Sequence, residues 1–168
     1  MNLLDDVALL ALQGPDAMSV LQQAFPTVAK EISETRFMQA RQLKLLGEMC
    51  IVSRSGYTGE DGFEISLPAS IAVEMATQLL AQAPTQWIGL GARDSLRLDA
   101  GLCLYGHDID ESTTPIAAGL TWSIAKTRRQ GDKQGGFLGA DVVLSAITRG
   151  CPRRRIGFVR RGKAPVRE

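Results

Sequence analysis

Between Arg54 and Ile65 the sequence reads RSGYTGEDGFEI, which places Tyr57, Glu60, Asp61 and Glu64 on one short piece of chain. Gly56, Gly59 and Gly62 recur every third residue, too closely for a helix and permissive of tight or left-handed backbone. Two readings fit these residues. One is a solvated acidic hairpin loop. The other is a ligand-binding turn in which Glu64, one step into the exit strand, directs a carboxylate into a pocket. Period-two alternation sets Glu64 on the face opposite Phe63 and Ile65, so its own face is polar or lines a cavity.

Ala92 to Ala100, ARDSLRLDA, is the second stretch with chemical content. Arg93 and Arg97 stand four apart and share one side of a helix. An arginine fork there can grip a carboxylate or the carbonyl of a heterocycle; the alternative is a charged outer face. Asp94 sits near the helix start, where the dipole favours a carboxylate, and Gly101 is a natural C-terminal cap. His107 beside Asp108 invites a general-base role, but adjacent residues often face apart and no nucleophile is marked. Trp122 either packs in the core or offers its ring to a flat ligand, and the sequence alone favours the core.

The elements that must position these groups follow from the apolar pattern. Val7 to Leu12, VALLAL, predicts a strand buried on both faces. Asp16 to Phe25 predicts a helix with an Ala17, Val20, Leu21 and Ala24 stripe, opened by Pro15 and ended by Pro26. Residues 27–44 read as loop and short strand, and Leu45 to Ser53 as the strand that feeds the glycine-rich turn. A helix is predicted from Pro68 to about Ala83, with Ser70 as a cap and Ile71, Met75, Leu79 and Leu80 facing the core. Trp87 to Leu90 reads as a buried connector. Gly119 to Ala125 reads as a strand, Phe137 to Ile147 as a helix entry and helix, and Arg155 to Val159 as a last strand.

Composition sets outer limits. The chain has 168 residues, with 45% apolar and 22% charged, which suits an ordinary globular domain. No stretch approaches the roughly 20 apolar residues that cross a bilayer, and no basic start followed by an apolar core marks a signal peptide. Cys50, Cys103 and Cys151 are odd in number and widely spaced, which suggests neither a disulfide framework nor a zinc knuckle. With His107 the only histidine, a His-rich metal site is excluded. Residues 1–125 hold 7 Lys and Arg against 15 Asp and Glu, a balance of −8; residues 126–168 hold 12 against 3, a balance of +9. The basic end lacks aromatics interleaved along a helix, so a solvated face or inter-domain contact is favoured over nucleic acid. Phosphate loops, dinucleotide fingerprints, HExxH and GxSxG are all absent. The residues by themselves predict an α+β domain with a candidate ligand turn.

Longer motifs add a resemblance. ALQGP at Ala11 to Pro15, GYTGEDGFEI at Gly56 to Ile65 and GLGARDSLRLDAGLCLYGHDID at Gly89 to Asp110 occur in order. TTPIAAGLTW at Thr113 to Trp122 and GGFLGA at Gly135 to Ala140 complete the set. Together they resemble aminomethyltransferase, the T-protein family of the glycine cleavage system. The resemblance implies a central fragment of the folate-binding T-protein fold, with mixed or antiparallel sheets and flanking helices. It implies transfer of a methylene carbon from aminomethyl-dihydrolipoyl H-protein to tetrahydrofolate, with release of ammonia. Carried over by motif, Glu64 looks like the carboxylate that hydrogen-bonds the pterin ring and Arg93 like the arginine of the folate site. Tyr57 and Trp122 look like aromatic walls around the cofactor. Tetrahydrofolate and lipoylated H-protein are the implied ligand and partner, with no metal, nucleic acid or membrane.

The resemblance also implies that the family's key aspartate lies upstream, so no residue of this chain is assigned a catalytic role. Asp99 stands where glutamate is common in the family. The expected organisation is a folate-binding region at 1–125, a connecting segment with a short helix at 126–150, and the start of a C-terminal β-barrel domain at 151–168. A truncated chain of this kind is expected to be weakly active or inactive alone and able to self-associate. A bacterial source implies the cytoplasm, which is favoured, and a eukaryotic source the mitochondrial matrix. Other readings are a non-catalytic folate-binding module related to dimethylglycine and sarcosine oxidoreductases, and a structural remnant without ligand.

Overall fold

A computed structural model describes residues 5–158 and 162. The chain divides into two compact units, Met1–Leu102 and Cys103–Glu168. The first is an α+β unit built on a four-stranded antiparallel sheet. Its strands are β1 (Val7–Gln13), β2 (Ala40–Leu45), β3 (Glu48–Ser53) and β4 (Gly62–Pro68), in the spatial order β1-β4-β3-β2. Four helices belong to the same unit: α1 (Ala17–Ala24), α2 (Ala29–Glu34), α3 (Ala72–Leu80) and α4 (Leu90–Asp99).

One face of the sheet is apolar and dry. Phe63, Ile65 and Leu67 alternate inward along β4 and meet Val52, Cys50, Leu43 and Leu45 from β3 and β2. Leu21 of α1, Ile32 of α2 and Met75 of α3 close over them. Each such side chain contributes roughly 1.5–3 kcal/mol by leaving water. Burial pushes the Cys50 thiol above its usual range, which keeps it protonated and inert. The opposite face carries Leu9, Ile51, Met49, Ser66 and Glu64, none of them buried.

Several expectations change. β1 is not buried on both faces: it is an edge strand, and Leu9 is 65% exposed. Helices α1, α2 and α3 pack on a single face of the sheet, so Ala8, Leu10 and Leu12 of VALLAL turn toward the core and Val7, Leu9 and Ala11 away from it. LLGEMCIVS is not one strand. The chain reverses at Leu46 and Gly47, both at positive φ, pairing Leu45 with Glu48 in a tight hairpin. Residues 29–34 form α2 rather than loop, with Ile32 their one buried residue. Ser70 does not cap α3, which begins at Ala72 after a 3₁₀ turn over Ala69–Ile71. The Trp87 to Leu90 connector is exposed, with Trp87 at 71%.

The second unit is mostly irregular. It contains α5 (Lys126–Arg129) and α6 (Ala140–Arg149), with Ala118 and Val143 buried. Gly119 to Ala125 is not a strand. Ala118, Gly119 and Leu120 donate to the nearby carbonyls of Thr114, Ile116 and Pro115, which spends groups a strand would offer a neighbour. Trp122 lies in a 3₁₀ turn over Thr121–Ser123 and is 70% exposed, so it is not a core residue. Residues 155–158 are not a strand either. The Arg155 N–H donates to Ala117 O at 2.7 Å and its Nε to Ala118 O at 2.9 Å. Residues 151–158 thus show no start of a β-barrel, and 159–161 and 163–168 lie outside the described residues.

Candidate functional site

The glycine-rich turn joins β3 to β4, and its two ends are tied together. Arg54 grips Asp61 through two parallel contacts, Nε to Oδ1 at 2.9 Å and Nη2 to Oδ2 at 2.8 Å. Its Nη1 donates to Thr35 O at 3.0 Å, anchoring the neck to the end of α2. The guanidinium's hydrogen bonds hold the Asp61 carboxyl below its ordinary range.

Gln13, the last residue of β1, fills the inside of the turn. Its Nε2 donates to Ser55 O at 3.1 Å and Phe63 O at 3.3 Å, and Thr58 Oγ1 donates to its Oε1 at 3.4 Å. A Cβ at Gly56 or Gly62 would overlap this carboxamide, so a side chain at either position would have to displace Gln13 from its hydrogen bonds. At the tip, Gly59 has φ +80 and a Cβ there would come within 2.6 Å of Ala100 Cβ. The turn therefore rests against the C-terminal end of α4.

Glu64 lies on β4 as the alternation predicts, between buried Phe63 and Ile65 but half-buried itself on the other face. Its Oε2 accepts the Ser55 hydroxyl at 2.8 Å. Among the described residues Oε1 has no hydrogen-bond partner. One carboxylate oxygen is thus fixed, and the other remains an acceptor for a donor from outside the chain.

Arg93 and Arg97 part company. Arg93 stacks over the Tyr57 ring, 4.9 Å from its centroid. Arg97 is buried; its Nε donates to Asp94 Oδ1 at 2.8 Å and its Nη1 to Leu102 O at 3.2 Å. The turn and α4 bring Tyr57 and Arg93 together and leave Glu64 on β4 beside the turn, while Gln13 and Ser55, not singled out from the sequence, hold the turn together. The signal for Gln13 was a polar residue closing an apolar strand directly before Gly14 and Pro15. Trp122 lies in the second unit, described above. His107 is exposed, and Asp108 Oδ2 accepts the Leu104 N–H at 2.9 Å.

A cavity of about 440 Å³ lies elsewhere in the first unit, among Leu10, Leu12, Ala17, Leu79, Thr85 and Trp87. Its lining is mostly apolar and includes none of Glu64, Tyr57 and Arg93. No helix among the described residues is long and apolar enough to cross a membrane.

Residues 1–128 match the GCVT N-terminal domain family. The chain belongs to this family. Its GCVT relatives include the probable mitochondrial aminomethyltransferase of Schizosaccharomyces pombe, 49% identical over 152 residues, covering 90% of this chain and 38% of the relative. The mitochondrial aminomethyltransferase of Pisum sativum is 50% identical over 163 residues, covering 96% of this chain and 38% of the relative. The crystal structure of the glycine cleavage system aminomethyltransferase T from Bartonella henselae superposes with a TM-score of 0.70 at 45% identity. It covers 86% of this chain and 37% of that one. The GCVT chain described here thus spans about two fifths of the length of the relatives it matches.

Proposed function

We propose that this chain is the folate-binding part of an aminomethyltransferase of the glycine cleavage system, with the folate-binding region at residues 1–125. The acceptor is tetrahydrofolate and the donor is the aminomethyl-dihydrolipoyl arm of H-protein. In the transfer the methylene carbon leaves the lipoyl sulfur and the amine, and bonds to two folate nitrogens. The two folate N–H protons end on ammonia and on the lipoyl thiol. The protein's part is mainly to hold these atoms in reach of one another.

The observation that carries this reading is the half-bound Glu64 carboxylate, whose Oε1 has no partner among the described residues. A pterin edge presents adjacent N–H donors, and a carboxylate is the natural acceptor for them. Arg93 is proposed as the second polar contact of the folate, with Tyr57 beneath it. Trp122, carried over by motif and exposed, is proposed as a further wall. The aminomethyltransferase names of the relatives favour this reading over an oxidoreductase-linked module.

The chain alone is proposed to bind folate but turn over weakly, because it spans 38–42% of the length of such relatives. Its compartment would follow its source: the cytoplasm in a bacterium, or the mitochondrion, as in the names of the eukaryotic relatives. Self-association is proposed through β1, one of the two edge strands of the sheet. Antiparallel pairing of two copies about Leu10 would set Asp5 and Asp6 opposite Gly14 and Pro15 of the other copy, keeping like charges apart. Leu9→Pro, which removes an edge N–H, should then yield a monomer by sedimentation.

Ammonia release from aminomethylated H-protein, with tetrahydrofolate in excess, tests the functional reading. Slow release that needs folate supports it; release independent of folate contradicts it.

A further inference from the structure

We infer that Ser55 is a positioning residue for the Glu64 carboxylate, and that Gln13 holds Ser55 in place to do it. The inference rests on the folate-binding reading of Glu64 and adds to it the groups that aim the carboxylate.

Glutamate is a poor recognition group unless something fixes it, because its three side-chain torsions must be ordered when a ligand binds. Ser55 supplies that constraint from across the turn. Its hydroxyl has one proton and two neighbours, Glu64 Oε2 at 2.8 Å and Ser53 Oγ at 3.2 Å. The shorter, charge-assisted contact takes the proton. Ser53 Oγ can then donate to the Glu64 carbonyl at 3.3 Å, so two hydroxyls bracket the same residue. With Oε2 occupied, Oε1 is the oxygen presented outward.

The hydroxyl can only aim Glu64 if the Ser55 backbone is itself fixed. Gln13 Nε2 donates both to Ser55 O and to Phe63 O, the carbonyl immediately before Glu64. One carboxamide thereby locks the residue that gives the proton and the peptide that carries the receiver. Space for it exists because Gly56 and Gly62 have no Cβ.

The test uses the full chain and tetrahydrofolate in calorimetric titration, with thermal midpoints recorded alongside. Ser55→Ala should weaken binding roughly tenfold, the scale of one hydrogen bond to a charged group, with the midpoint held. Ser55→Thr, which keeps the hydroxyl, should restore affinity. The side-chain carboxyl ¹³C resonance of Glu64 should also move in the free Ser55→Ala chain. Wild-type affinity in Ser55→Ala, or a Glu64 resonance that does not move in that variant, overturns the inference. Failure of the wild-type chain to bind folate overturns the functional reading instead; the Glu64 resonance in the free chain then decides the Ser55 contact separately.

Discussion

The guanidinium of Arg93 lies over the Tyr57 ring, its Cζ 4.9 Å from the centroid, and so joins α4 to the turn between β3 and β4. A second tie lies nearby in sequence, where Gly59 lets the tip approach Ala100. Two stretches separated by thirty-odd residues in sequence are thus one structural object. The helix supplies a cation and the turn supplies the surface on which it rests.

Removing that cation should cost both stability and binding. Arg93→Ala is expected to lower unfolding free energy by about 0.5–1 kcal/mol, the range of a partly exposed cation–π contact. Arg93→Lys keeps the charge but loses the planar fork, and should weaken folate binding nearly as much as alanine does. Urea denaturation and titration on both variants check this; lysine binding as well as arginine would contradict it.

The overlap at Gly62 gives a double-mutant test. Gly62→Ala is expected to destabilise the chain by about 1–3 kcal/mol, since a Cβ there collides with the Gln13 carboxamide. Gln13→Ala frees that space, so the double variant should be less destabilised than the sum of the singles. Additive losses would show that Gln13 does not occupy the turn interior.

Asp61 should give acid sensitivity of a definite sign. Its folded carboxyl is held below its unfolded value by Arg54, so the contact stabilises fully above the unfolded value, near 4. The contribution is lost as pH falls through the lower folded value. Asp61→Asn is expected to cost about 1–2 kcal/mol at neutral pH, for a pair whose side chains are 25% and 29% exposed. Urea midpoints against pH should show this difference shrinking toward zero in acid. A difference that grows in acid would contradict the assignment.

Trp122 can be followed optically, since only it and Trp87 are tryptophans. If it walls the folate, the Trp87→Phe chain should show saturable quenching by tetrahydrofolate that the Trp122→Phe chain lacks. Equal quenching in both would remove Trp122 from the site. Trp122→Phe should leave stability within about 0.5 kcal/mol, as expected for an exposed ring.

The orientation of Glu64 was legible because the alternation of FEISL is unbroken and one face is wholly apolar. α4 was legible from its spacing, but not the burial of Arg97, which depends on Asp94 and the Leu102 carbonyl as partners. Gln13 escaped notice for a deeper reason. Its role exists only once β1 pairs with β4 and sets it opposite Gly62. The hairpin at Leu46 and Gly47 was hidden by a leucine in a left-handed position that usually falls to glycine or asparagine. α2 was missed because its single buried side chain, Ile32, gives no period to read. Trp122 misled in the other direction, because a β-prone sequence was closed locally into turns before it could find a neighbour.

The most direct test of the account is calorimetric titration of the purified chain with tetrahydrofolate, repeated with Glu64→Ala. The account predicts saturable binding with a stoichiometry near one site, lost in the variant while its thermal midpoint stays close to the wild type. Equal binding by both chains, or none by the wild type, would contradict it.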